Sequence, residues 1–349
     1  MAKKLMKAQK GKIVKSLAKK YAGSAEKYII KANDYPDINM DTKKKILKIA
    51  TDYNYTPNLM AKSLRSKKSY AVGYIISETI NEFFWDVAFA IDKELRKHNY
   101  SILTSFSDNN PEIEAEALKL LVSRQIDGII LAAIGKRYKY VKEIIEKLKI
   151  PCVVIDNKIE GLKSNFVLHD NRNGAFLLTE HLIKHGYKDI ACIAGDIDES
   201  SGKERLEGYT EALKKFNIPV NKDLIRISNW EIKGGYDSTI ELFKNPKIKP
   251  RAIFISNSVM AMGTIKALRE MKISIPEEVA LVSFDSLSFI ESMSIPLTTL
   301  EKIDNKIGET AARIIFERII DKDDKKIEEI YIKAGLFIRE SCGCKERGV

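Results

Sequence analysis

Residues 70–76, YAVGYII, form a short apolar run of the length of a strand buried on both faces. Three more runs of the same kind follow: SILTSF (101–106), GIILAA (128–133) and CVVI (152–155). Between them lie Asp86–His98, Glu112–Ser123 and Tyr138–Leu148, where apolar residues recur at helical spacing. Alternation of buried strands with amphipathic helices predicts a parallel, doubly wound sheet. The series then repeats. DIACIAG (189–195), DLIRIS (223–228), AIFIS (252–256) and VALVSF (279–284) are strands, separated by helices over Glu204–Phe216, Gly235–Phe243 and Val259–Met271. Two series of similar size predict two Rossmann-like lobes. PLTTLE (296–301), a helix over Ile307–Ile319 and EIYIKAGLFIRE (329–340) are expected to cross back between them. The expected division is lobe one at 70–166 and 297–329, and lobe two at 167–296 and 330–342. Ligands in such folds bind at the carboxyl ends of the strands, here in the cleft between the lobes.

The chain ahead of this body differs in charge. Residues 1–70 hold 18 lysines and arginines against 5 acidic residues, a balance of +13, whereas the remaining 279 residues hold 41 against 43, a balance of −2. The whole of the net +11 therefore comes from the first fifth of the chain, the footprint of a nucleic-acid-binding headpiece on a neutral body. Within it, Ile13, Leu17 and Ala18 space a first helix, and Tyr21–Ser24 makes a turn. A second helix runs from Ala25 to about Ala32, and a third from Asp41 to Tyr53. Three short helices with a tight turn between the first two fit a helix-turn-helix. A linker follows, YNYTPNLMAKSLRSKK (53–68). Thr56 can cap a helix there and Pro57 suits its first turn, because proline has no N–H to leave orphaned. On its own this stretch also fits an ordinary amphipathic linker.

These features together resemble the LacI family of transcription regulators. Tyr55, Pro57, Asn58, Ala61 and Leu64 match the family's linker, a hinge helix whose leucine wedges into the minor groove of operator DNA. In the headpiece, Ser24 and Asn33 match the residues that open and close the recognition helix. The helix itself departs: Lys27–Ile30 stand where the family has T-V-S-R. By position the resemblance implies Ala25, Glu26 and Ile30 at base edges and Lys27 at a phosphate, with no arginine fork at Ile30. Lys3, Lys4, Lys7 and Lys10 form a basic arm that either touches phosphates or keeps the chain in solution. In the body, Asn81–Phe84 stand for N-P-x-F with Glu82 in place of proline, and Arg205–Tyr209 match R-x-x-G-Y/F. Ser256–Gly263 match x-N-D-x-M-A-x-G, with Ser258 in place of aspartate.

The resemblance implies an α/β protein. A small all-α headpiece (1–56) and a hinge helix (57–69) would precede a periplasmic-binding-protein-like body (70–342). It also implies effector-cleft roles. Phe84 and Trp230 would stack on a ring, and Asp156, Arg205, Asn257 and Asp285 would bond hydroxyls or a carboxylate. Taken singly, Arg205 could be a surface charge, Asp285 a cap and Trp230 a core residue. The partners expected are double-stranded operator DNA, a sugar-like effector and a second copy of the chain, since one helix-turn-helix reads too few bases.

Other classes find little support. No apolar run approaches the ~20 residues of a membrane span, and no apolar segment follows the basic N-terminus, so a cytoplasmic protein is expected. A transport-type sugar-binding protein predicts an export signal and no basic head. An enzyme predicts a cofactor loop or acid/base pair, but there is no G-x-x-x-x-G-K-[ST], G-x-S-x-G or H-E-x-x-H, and no cofactor is implied. Cys152 and Cys192 lie in apolar runs and are expected in the core. Cys342 and Cys344 have no second pair or neighbouring histidine in the sequence, a weak metal signal, and are expected to hold none. His181 and His185, four apart, have metal-binding spacing but no third ligand, and are expected on a helix surface.

Overall fold

The structure, a computed structural model, describes residues 68–135, 139–148, 150–245, 249–288, 294–321 and 327–344. The headpiece and hinge helices expected above lie outside them. The body begins at Tyr70 and holds two six-stranded sheets.

The first sheet has the order β11-β5-β4-β3-β1-β2, all parallel. Its strands are β1 (Ala71–Ile76), β2 (Ser101–Phe106), β3 (Gly128–Ala132), β4 (Cys152–Ile155), β5 (Asn165–His169) and β11 (Glu329–Ile332). The second has the order β12-β10-β9-β8-β6-β7. It is built from β6 (Ile190–Ala194), β7 (Ile225–Ile227), β8 (Ala252–Ile255), β9 (Ala280–Ser283), β10 (Thr298–Leu300) and β12 (Leu336–Phe337). Here β12 runs antiparallel to β10.

Helices cover both faces of each sheet. Alternate residues of β1 show why: Val72, Tyr74 and Ile76 face α1 (Glu82–Arg96) and α8 (Asp304–Asp321), while Ala71 and Ile75 face α2 (Pro111–Ser123) and α3 (Lys139–Lys147). In lobe two, α4 (Asn171–Lys184) and α5 (Ser200–Lys215) cover one face, and α6 (Ile232–Lys244) and α7 (Ser258–Glu270) the other. Cys152 and Cys192 are buried in these cores.

Several strand-to-helix junctions carry asparagine or aspartate caps, although α5 and α6 start behind Glu199 and Glu231 with no side-chain cap. The Asn81 side chain accepts from Phe83 N at 3.1 Å, Asn110 from Glu112 N at 2.9 Å, and Asn257 from Met260 N at 2.8 Å. The Asn81 cap is the reason α1 begins at Glu82 and not at Asp86, as the spacing alone predicts.

The expected lobe boundaries need correcting. All of β5 belongs to lobe one, β10 to lobe two and β11 to lobe one. Glu329–Ile332 pair with Phe166–His169, and Thr298–Thr299 pair with Val282–Ser283. The chain therefore crosses between lobes three times: β5 to α4, β10 to α8, and β11 to β12. EIYIKAGLFIRE is two strands, one in each lobe. Such short strands carry no local mark of their sheet; register with a distant partner decides it.

Candidate functional site: the cleft between the lobes

Strand ends of both sheets open onto one cleft of ≈ 510 Å³, part of it open to solvent. Phe84, Asp156, Arg205, Trp230, Asn257 and Asp285, separated by up to two hundred residues in sequence, all line it. The side chains of Ser24, Ala25, Glu26, Lys27, Ile30, Asn33, Tyr55, Asn58, Ala61 and Leu64 lie outside the described residues.

Arg205 is the centre of the site. It projects from the second turn of α5 and is buried. Its guanidinium donates to Asn171 Oδ1 at 2.9 Å and to the Ser256 carbonyl at 2.5 Å, and lies 3.7 Å from the Asp285 carboxylate. Its flat face sits 3.7 Å from the Phe284 ring centre, with Trp230 at 5.5 Å. The fork is thus held on a ring and by two bonds, which fixes its direction before any ligand arrives. Burial works against the charged form of both Arg205 and Asp285, while their mutual attraction opposes both shifts. Arg205 is neither a surface charge nor a simple counter-ion.

Trp230 follows β7 with a left-handed backbone (φ 69°). Its indole N–H donates to Glu199 at 2.9 Å, and its carbonyl accepts from Asn257 Nδ2 at 3.2 Å. The ring lies across Gly195, where a Cβ would stand 2.0 Å from ring carbons. Glycine is required there by that close approach. Asn257 therefore uses its amide twice, capping α7 through Oδ1 and holding the Trp230 backbone through Nδ2.

Lobe one brings Phe84, packed edge-on to Phe83 at 5.0 Å, and Asp156 just after β4. Burial pushes the Asp156 carboxyl up to about 7; Arg205 pulls it down, while Asp285 and Glu78 push it further up. The Glu78 carboxyl is raised as well, by burial first. His169, at the end of β5, is buried between Phe83 and Phe284. Burial, then Arg205, lowers its imidazole to about 3, so it is neutral.

Four carboxyl groups (Glu78, Asp156, Glu199 and Asp285) thus share a lining with one guanidinium. Such a site is rich in acceptors and suits a ligand that brings several hydrogen-bond donors on an apolar frame.

Sequence reasoning missed Glu199, His169, Asn171 and Phe284. Phe284 carried a signal, an aromatic residue immediately before Asp285, and Asp170-Asn171 matches the family's V-x-D-N without pointing to a partner. Glu82 also gains a role. It takes the helix-start position where proline would fit, and its carboxylate accepts from Ser288 N of lobe two at 2.8 Å and from Lys302 Nζ at 3.3 Å. A proline could make neither bond. His181 is buried, not on a surface as expected, and Cys344 Sγ lies 3.2 Å from its Nε2.

Two similarly wound lobes with a polar and aromatic cleft at their strand ends define a periplasmic-binding-protein-like sensor body. The model of periplasmic binding proteins and the sugar-binding domain of the LacI family matches residues 69–340. The chain belongs to the LacI family of transcriptional regulators, DNA-binding proteins with an effector-binding domain. It is 30% identical over 302 residues to the HTH-type transcriptional repressor PurR of Actinobacillus pleuropneumoniae, covering 86% of this chain and 89% of that one. Among solved structures it is similar to a LacI family regulator from Enterococcus faecium with bound ribose. That match has 26% identity and TM-score 0.69, and covers 78% of this chain and 98% of that one. The lac repressor dimer bound to operator shares the fold, with TM-score 0.80 at 20% identity over 93% of this chain and 97% of that one. These relatives are regulators, not enzymes. No helix among the described residues is long and apolar enough to cross a membrane.

Proposed function

We propose that this chain is a repressor whose affinity for an operator is set by a small polyhydroxylated effector, a sugar or sugar derivative, bound between its lobes. The observation that carries this reading is the pre-oriented Arg205, seated on Phe284 beside Trp230 and surrounded by carboxylates from both lobes. Carboxylates accept from ring hydroxyls, the guanidinium donates to ring or hydroxyl oxygens, and Phe84 and Trp230 cover the apolar face. Such a ligand touches both lobes at once and so favours the closed arrangement. Three chain crossings link the lobes and allow that change to reach the segment ahead of Tyr70.

The roles in DNA contact belong to Ser24, Ala25, Glu26, Lys27, Ile30 and Asn33 in the recognition helix, and to Tyr55, Asn58, Ala61 and Leu64 in the linker. The working form is a homodimer in the cytoplasm. Lobe one supports this with exposed apolar residues on α1 and the edge strand β2: Phe89 is 71% exposed, and Trp85 and Phe106 form an exposed ring pair at 5.8 Å. A second reading, in which the basic head holds phosphates without reading sequence, rests on Lys27–Ile30 departing from the family's recognition helix.

Selection from random duplex pools at two salt concentrations separates the two readings. An enriched palindrome supports the repressor. Retention without enrichment, lost steeply with salt, contradicts it. Thermal shift against monosaccharides, sugar acids, amino sugars and nucleobases then identifies the effector. A response confined to compounds without hydroxyls would overturn the assignment of its class.

A further inference from the structure

The C-terminal tail ends in a 3-10 turn, Glu340–Cys342, and continues through Gly343 to Cys344. It is firmly seated. Ser341 Oγ accepts from Thr298 N at 2.8 Å and donates to the Leu281 carbonyl at 2.7 Å, while the Arg339 guanidinium donates to the Leu297 carbonyl at 2.9 Å. Tyr187 Oη donates to the Cys342 carbonyl at 3.2 Å. Gly343 has φ +74°, and a side chain there would be strained and would press on Tyr187 Oη at 3.0 Å. That left-handed residue turns the chain so that both flanking thiols face the last turn of α4. There they meet His181. One nitrogen of His181 and the two sulfurs of Cys342 and Cys344 lie within 4.8 Å of one another. The sequence separates the histidine from the thiols by about 160 residues, and only the fold brings the three together.

Two thiols and an imidazole are a soft donor set. Around a tetrahedral zinc ion, with bonds of about 2.3 Å to sulfur and about 2.0–2.1 Å to nitrogen, donor atoms stand roughly 3.6–3.8 Å apart. With Cys344 Sγ and His181 Nε2 at 3.2 Å and all three donors within 4.8 Å, the cluster needs only small shifts to reach this. Two thiolates, a neutral imidazole and a divalent cation sum to zero charge, which suits a site where Cys342 and His181 are buried and Cys344 half-buried. The thiols are reduced, and their weak bonds to the Arg339 carbonyl (3.4 Å) and the Cys342 carbonyl (3.9 Å) are easily given up. Three protein ligands leave a fourth position for water on the solvent side of Cys344.

We propose that His181, Cys342 and Cys344 bind one zinc ion, which staples the C-terminal tail to α4. The same helix carries Asn171, the residue that holds Arg205, so the ion would secure the element that orients the effector site. This site is independent of the effector cleft and stands whether or not the cleft binds a sugar.

The test uses the full chain, stripped with a chelator under reducing conditions and titrated with zinc against a chromophoric competitor. One zinc per chain is expected, retained through gel filtration, with a raised thermal midpoint. Cobalt should give a thiolate charge-transfer band. Cys344→Ser, at a half-exposed tail position, should fold as judged by circular dichroism yet bind at least about tenfold more weakly; His181→Asn should do the same. Zinc binding no tighter than that of a Cys342→Ser/Cys344→Ser double variant would overturn the proposal. So would wild-type affinity in Cys344→Ser, or a Cys342–Cys344 disulfide persisting under the same reducing conditions.

Discussion

The two lobes wind their strands in the same order, with β6, β7, β8, β9, β10 and β12 in the places of β1, β2, β3, β4, β5 and β11. What they present to the cleft is different. After its first strand, lobe one starts a helix with Asn81, Phe83 and Phe84; lobe two starts the equivalent helix with Ser201 and, one turn later, Arg205. After the second strand stand Asn109 in lobe one and Trp230 in lobe two. The lobes agree in their acids: Asp156 and Asp285 stand close behind the fourth strand, and Glu78 and Glu199 between the first strand and its helix. Lobe one thus brings the Phe83–Phe84 pair and two acids, Glu78 and Asp156, and lobe two carries the fixed cation with two acids of its own, Glu199 and Asp285. A common frame sets where side chains meet, and the residues at strand ends set what they can hold.

The sharpest way to break this picture is to remove the cation. Arg205→Ala leaves Asp156 and Asp285 buried without it and uncovers Phe284, so a stability loss of about 3–5 kcal/mol is expected. Effector binding should disappear with it. Calorimetric unfolding and ligand titration check both, and a variant that still binds would refute the division of labour between the lobes. Arg205→Lys should fold better but bind weakly, because an ammonium cannot reproduce the two fixed bonds to Asn171 and Ser256.

Next in size is Gly195→Ala. Its new Cβ would displace the Trp230 ring, at a cost of about 1–3 kcal/mol. Effector affinity should fall while lobe one stays intact. Since the chain has two tryptophans, Trp85 and Trp230, a Trp85→Phe background isolates the Trp230 fluorescence. An unchanged spectrum would mean that the ring does not rest on residue 195.

A smaller effect comes from Asp156. Its carboxyl is raised from 3.8 to about 7, so its contribution to stability is full below pH 3.8 and is lost as pH rises through 7. Asp156→Asn should therefore be more stable relative to wild type at pH 8 than at pH 5, by roughly 1–2 kcal/mol. Equal differences at the two values would show that Asp156 is not held neutral.

The smallest effect expected is from Glu82→Gln, which weakens the exposed contacts of lobe one with Ser288 of lobe two and with Lys302. Roughly 0.5–1 kcal/mol is at stake, visible as a modest shift toward the open form in solution scattering. A large loss of stability would mean that these contacts hold the fold and not the closure.

Much of this was legible in the sequence. Apolar runs and helical spacing located most strands and helices, and residues just behind those runs located the cleft. The family resemblance pointed to Asp156 and Asp285, and their place directly after VVI and VSF put them at strand ends. The sheet membership of β5, β10 and β11 was not visible, because strands of three to five residues take their place from partners far along the chain. The same limit hid Asn171, which lies 34 residues from Arg205, and Glu199, which lies 31 from Trp230. Nothing near them in sequence states the pairing. The tail thiols and His181 are the extreme case.

The most direct measurement is the affinity of the full chain for its selected duplex with and without the effector found by thermal shift, repeated with Arg205→Lys. The account predicts a change of about tenfold or more on adding effector to the wild type, since allosteric coupling is typically 1–3 kcal/mol, and little change in the variant. The same DNA affinity with and without bound effector would contradict it, because the cleft would then hold a ligand that the DNA-binding segment does not sense.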